Sequence, residues 1–165
     1  MKTVSTKKMA LWAMTAALYA AITLLTASFA YGPVQFRVAE ALSMLCCFAP
    51  HMTVGVTLGC FLANLLSPVS ALDVVVGTAA TLLACLWMSR CRRGMTAVLP
   101  NVVCNGLIIG AMLAWVYTPA AFWQGFLLNG LQVALGELAV MVLMGLPLYA
   151  CLRRRPDVLA RLIGK

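Results

Sequence analysis

The sequence predicts an all-α, polytopic membrane protein: one domain, residues 1–165, folded as a six-transmembrane-helix bundle with both termini cytosolic. Three observations carry that prediction. The chain is 64% hydrophobic and 10% charged, too little charge to cover a soluble domain of this length. Residues 9–36, 41–72 and 94–136 hold no Asp, Glu, Lys or Arg, and about 20 apolar residues cross a bilayer core. The basic residues form clusters that flank the apolar runs: Lys2, Lys7 and Lys8; Arg90, Arg92 and Arg93; then Arg153, Arg154, Arg155, Arg161 and Lys165. That is the pattern of the positive-inside rule. It also accounts for the net charge of +8 without a nucleic-acid partner. A β-barrel is excluded, because the apolar residues run continuously rather than alternating.

The first helix is expected over 9–30. Lysines, an apolar run and "SFA" resemble a signal peptide, but the run is longer than a signal core. "ALWAMTAALYAA" places Ala13, Ala17 and Ala21 at spacing four. Such a stripe permits close helix approach; inside the bundle it is packing, on the outer surface it is a docking face. The next two helices, 36–49 and 52–67, come from splitting one apolar run at Pro50-His51, where proline and a polar neighbour break a helix. The split is required by parity, since an even number of spans must separate basic clusters on one side. Both helices look short for a perpendicular span. Helices over 71–89, 95–117 and 122–151 complete the set. Of the 12 basic residues, all but Arg37 then face the cytosol.

Arg37 stands three residues before Glu40 in "GPVQFRVAEAL", at the outer mouth and the start of helix two. The pair reads either as an i,i+3 ion pair on a wet helix end or as a ligand or lid contact. Ionisable residues within spans default to functional roles. At about 1.5 Å per residue, Glu137, Asp73, Asn105 and Asn64 fall at mid-depth or in the outer half. Asn101 lies deeper on the same helix face as Asn105. Asp73 has an alternative as the cap of helix four, Asn64 as a cap of helix three, and the two helix-five asparagines as interhelical packing bonds. Glu137 has no such alternative, being the sole ionisable residue between Arg93 and Arg153. Tyr31, Phe36, Trp115, Tyr117, Phe122 and Trp123 gather at the outer edge. Most fit an interfacial belt, while Trp115 or Tyr117 can stack on a flat ligand. Three acids against one arginine there favour a cationic ligand.

The seven cysteines include no CxxC pair and read as small buried hydrophobes, with no disulfide and no metal site. His51 reads as a loop residue. There is no GxxxxGK phosphate loop, so this chain does not use ATP itself and needs no cofactor of its own. GxSxG and HExxH are also missing, which makes an intramembrane enzyme a weak reading.

The order "QFRVAEAL", "GVTLGCFLANLLSP", "LDVVVGTAATLLA", "LPNVVCNGLIIG" and "GELAVMVLMGLPLY", with the alanine stripe in helix one, resembles the QueT family of queuosine-precursor transporters. These are substrate-binding S components of energy-coupling factor (ECF) transporters. The resemblance runs over nearly the whole chain. It implies a multi-pass protein of the bacterial cell membrane that captures a deazaguanine precursor, as base or nucleoside, on the outer face. A transmembrane coupling protein, docked on Ala13, Ala17 and Ala21, and two cytosolic ATPases then drive uptake with ATP. Chemistry agrees with such a ligand. A guanine-like ring offers a ring N–H beside an exocyclic amine, which one carboxylate accepts together. Asn amides suit its carbonyl and ring nitrogen. On this view Glu137 reads the N–H pair with Asn105 and Asn101 opposite, Glu40 and Asp73 receive the ligand's amine, and Arg37 holds the mouth by pairing with Glu40. Rival readings are an S component for a vitamin or another nucleobase, a self-sufficient secondary carrier, and a thiol oxidoreductase using Cys46-Cys47.

Overall fold

The computed structural model describes residues 5–31 and 34–163. Lys2 and Lys165 of the basic clusters, and Gly32-Pro33 at the head of the Arg37 motif, lie outside the described residues. All regular structure among the described residues is helical. The helix expected over 9–30 is α1 (Thr6–Leu25) followed by the short α2 (Ala27–Ala30). They are separated at Thr26, whose hydroxyl donates to the Ile22 carbonyl at 2.8 Å, a back-bond that bends helices.

The region expected as helix two is a seven-residue 3₁₀ helix, Val38–Met44, running into α3 (Leu45–Phe48). A 3₁₀ helix rises about 2.0 Å per residue against 1.5 Å for an α-helix, so these few residues reach further than an α-helix would. The chain breaks at Ala49, in extended conformation, and turns through Pro50-His51 into α4 (Met52–Asn64), as the proline predicts. Next come α5 (Ala71–Met88) and α6 (Gly94–Tyr117). Ser70 caps α5 by accepting from the Leu72 N–H at 3.2 Å, so Asp73 is not the cap. A 3₁₀ turn, Pro119–Ala121, leads to α7 (Phe122–Val140). A π-helical turn, Met141–Gly145, joins α7 to α8 (Leu146–Arg153). The wider turn accommodates Pro147, which cannot donate to a regular ladder. A final helix, α9 (Pro156–Ile163), follows beyond the six expected from the sequence.

Four of these stretches are long and apolar enough to cross a membrane: Thr6–Leu25, Ala71–Met88, Gly94–Tyr117 and Pro119–Arg153. Val38–Phe48 and Met52–Asn64 are apolar but shorter. Both close helix crossings are glycine-lined. On α4, a Cβ at Gly59 would stand 2.6 Å from the Tyr19 Cβ and 2.9 Å from the Ala16 carbonyl oxygen of α1. On α6, a Cβ at Gly110 would stand 2.5 Å from the Gly130 Cα of α7. Apolar side chains gain nothing by leaving lipid for one another, so close backbone contact of this kind is what holds membrane helices together.

Long-range bonds define the two ends of the bundle. At one end the Trp12 indole N–H donates to Nδ1 of His51 at 3.1 Å. The opposite ring nitrogen of His51 therefore carries the proton and donates to the Leu162 carbonyl at 2.9 Å. Tyr149, its ring tilted against Phe48, donates to the Arg92 carbonyl at the same end. The start of α1, the Pro50-His51 turn, the Arg90–Arg93 cluster and α9 are thus neighbours. At the other end Tyr31 donates to the Ala63 carbonyl at 2.7 Å, and Arg37 meets Asp73.

Candidate functional site

Inside the bundle, nearer the Arg37 end, lies a polar core to which every main segment contributes. Its members sit on rows with spacing four, which lines residues along one helix face: Thr15, Tyr19 and Thr23 on α1; Cys60 and Asn64 on α4; Asp73, Gly77 and Thr81 on α5; Asn101 and Asn105 on α6. All are buried. Glu137 is buried on α7, one turn before the π-helical turn, and such turns recur at functional sites.

Arg37 and Asp73 form a buried ion pair, with Nη2 to Oδ2 at 3.1 Å and to Oδ1 at 3.4 Å. The Ser67 hydroxyl donates to the same Oδ2 at 2.7 Å, and the guanidinium stands 5.5 Å from the Tyr31 ring centre. Asn64 donates to the Asp73 carbonyl at 3.1 Å. Gly77 makes this junction possible, since a Cβ there would meet Asp73 Oδ1 at 2.6 Å and Asn64 Nδ2 at 2.8 Å. Arg37 does not pair with Glu40, contrary to the expectation from their spacing. Arg37 precedes the 3₁₀ helix, with ψ 89°, so it does not share a helical face with Glu40.

Glu40 lies in the core instead of at the mouth. Its Oε1 accepts from the Tyr19 hydroxyl at 2.5 Å and from Thr81 at 2.9 Å. Its Oε2 accepts from Asn101 Nδ2 at 3.0 Å. Three donors occupy this carboxylate, so it has little left to offer a ligand amine.

Glu137 is the opposite case. It is 1% exposed, and neither carboxylate oxygen has a hydrogen-bond partner among the described residues. Asn105 and Asn101 face it, and Glu40 and Arg37 are near enough for their charges to act on it. Yet both ends of the Asn105 amide and the Asn101 oxygen are also without partners. Gln35 Oε1 and Arg37 Nε are in the same state. A buried polar group left unpaired costs about 1–3 kcal/mol, so their concentration here makes this wall the candidate site.

The segment beside Glu137 is held under strain. Gln35, a non-glycine residue, has φ 46°, a left-handed conformation that ordinary residues rarely take. Strain of this kind collects at functional sites. Val34 lies across α7 at Gly136, where any Cβ would collide with the Val34 carbonyl oxygen.

Among the described residues the core therefore joins Arg37, Glu40, Asn64, Asp73, Asn101, Asn105 and Glu137. It does not join Trp115 and Tyr117, which are 68% and 59% exposed near the C-terminal end of α6. Both belong to the rim, as interfacial aromatics do. Tyr19, Gln35, Ser43, Thr81 and Met141 were not singled out from the sequence. The spacing-four rows carried a signal for Tyr19 and Thr81; nothing local marked Gln35 or Met141. On α1 the stripe Ala13, Ala17 and Ala21 is exposed, while Thr15, Ala16, Tyr19 and Thr23 pack inward. All seven cysteines are free thiols, and no cluster of metal-ligating side chains occurs among the described residues.

The family described as "QueT transporter" matches residues 9–154. The "Queuosine precursor transporter QueT" of Lactococcus lactis subsp. cremoris (strain MG1363) is 40% identical over 72 residues. That stretch is 42% of this chain and 42% of the relative. No solved structure matches.

Proposed function

Because the chain belongs to the QueT transporter family, a family of transporters and not of enzymes, we propose that it is the substrate-capturing S component of an ECF transporter. Its substrate is a queuosine precursor of the deazaguanine class. The observation that carries this reading is the unpartnered polar wall of Glu137, Asn105 and Asn101, buried in the bundle beneath the strained Gln35 segment. A deazaguanine base matches it. Its ring N–H and exocyclic amine supply two parallel donors to one carboxylate, and the Asn105 amide can donate to the carbonyl. Among the described residues three buried carboxylates stand against one buried guanidinium, an excess of negative charge that favours a precursor carrying an amine.

Six spans, with both termini and the basic clusters cytosolic, suit the bundle. The α1 start, the Pro50-His51 turn, the Arg90–Arg93 cluster and α9 meet at one end. The 3₁₀ helix and α4 then form a short pair of spans whose polar faces stay inside. The site opens at the opposite end, outside the cell. The exposed Ala13, Ala17 and Ala21 stripe supplies the close-approach surface for a transmembrane coupling protein, and cytosolic ATPases hydrolyse the ATP.

The test is direct. Purified protein in detergent is titrated by calorimetry with deazaguanine bases and nucleosides of the queuosine pathway, and with a panel of vitamins. Saturable binding of a deazaguanine alone is expected. Folded protein that binds a vitamin and no deazaguanine overturns the substrate. Uptake in cells lacking the ATPases overturns the ECF assignment.

A further inference from the structure

Resting on the reading of this core as a ligand site, we propose that Glu40 is a positioning residue: it holds the Asn101 amide with its oxygen toward the ligand, so that this wall accepts a ligand N–H. A carboxamide can in principle sit either way round, and here the chemistry of its neighbours decides. Asn101 Nδ2 lies 3.0 Å from Glu40 Oε2, 3.2 Å from Ser43 Oγ and 3.5 Å from Met141 Sδ. The Glu40 carboxylate, itself filled by the Tyr19 and Thr81 donors, can only accept. Ser43 spends its hydroxyl proton on the Glu40 carbonyl at 2.5 Å, so it too accepts from Asn101. The thioether only accepts. Turning the amide over would set its oxygen against three acceptors.

The consequence falls on the other end of the amide. Asn101 Oδ1 is buried and without a partner among the described residues, as are both Glu137 oxygens and Gln35 Oε1. With Asn105 Oδ1, five acceptors therefore await donors, against the Arg37 Nε and Asn105 Nδ2 donors that lack partners. The ligand class is a flat heterocycle richer in N–H donors than in acceptors. Discrimination should be strong, since a site built to hydrogen-bond a donor rejects an analogue that presents an acceptor there.

Two measurements test this, one without ligand. Asn101→Asp sets two carboxylates face to face. Adding Glu40→Gln restores a donor–acceptor pair with reversed polarity. In thermal unfolding of the purified ligand-free protein, Asn101→Asp should melt lower, and the double variant should recover at least half of the loss. A double variant no more stable than Asn101→Asp overturns the proposal. In the second measurement, Glu40→Gln alone should let the Asn101 amide turn over and present a donor. Its affinity for 7-deazaguanine, whose five-membered ring carries an N–H, should fall at least tenfold relative to the isosteric 2-aminofuropyrimidin-4-one, whose ring oxygen accepts in its place. Equal losses for both ligands would make Glu40 merely structural and overturn the proposal. If the wild-type protein binds neither base, the deazaguanine reading fails, while the unfolding arm still decides the role of Glu40.

Discussion

Replacing Glu137 by Gln should move stability and binding in opposite directions. The side chain is buried with neither oxygen partnered among the described residues, and it belongs to a set of three buried carboxylates facing one arginine. Before ligand binds, it is an expense to the fold. An unsatisfied buried group costs about 1–3 kcal/mol, more when charged. Gln keeps the shape but removes the charge, so the ligand-free protein should gain on that scale. For a chain of this length, about 2–4 °C of melting temperature per kcal/mol makes this an upward shift of roughly 2–12 °C. With ligand the sign reverses. One acceptor oxygen becomes a donor facing a ligand donor, and losing a buried charged contact costs about 2–5 kcal/mol, at least about 30-fold in Kd. Differential scanning of the ligand-free protein and calorimetry with a deazaguanine base read the two effects in the same samples. A variant that melts no higher and binds unchanged would return Glu137 to plain packing and refute the argument from unpartnered groups.

The Arg37–Asp73 pair should behave as a unit. Arg37→Met leaves a buried carboxylate alone and should cost about 3–5 kcal/mol, read as lost folded yield and a lower melting temperature, whereas Arg37→Met with Asp73→Leu should recover most of it. Ala17→Trp adds bulk to the exposed α1 stripe; uptake in cells should fall at least tenfold while ligand affinity of the isolated protein stays within about twofold, since close approach is what small residues provide. Loss of binding as well would place the stripe in internal packing. In a cysteine-free background, single cysteines at positions 70 and 119 should react with an impermeant thiol reagent from outside the cell and one at position 94 should not; the reverse pattern would overturn the sidedness drawn from the basic clusters.

What the sequence by itself determined was the membrane class, most of the helical segments and most of the polar residues gathered in the buried core. These are local or periodic properties. Apolar run length decides what bilayer-spanning segments are possible, Pro50 breaks a helix wherever it sits, and Glu137 is conspicuous because ionisable groups are rare in such runs. The family resemblance likewise lay in ordered local motifs. Tertiary structure alone decided who pairs with whom. Spacing made Arg37 and Glu40 candidates for an ion pair, but Arg37 precedes the 3₁₀ helix, with ψ 89°, so the two share no helical face. Glu40 turns to Tyr19, Thr81 and Asn101, and Arg37 to Asp73. Trp115 and Tyr117 had the right chemistry for a stacking role, yet their helix face turns them outward. The orientation of the Asn101 amide and the isolation of Glu137 depend on atoms brought together from five separate segments. No window of sequence contains them, because a buried donor or acceptor is satisfied or left waiting only by what the folded chain places within 3 Å of it.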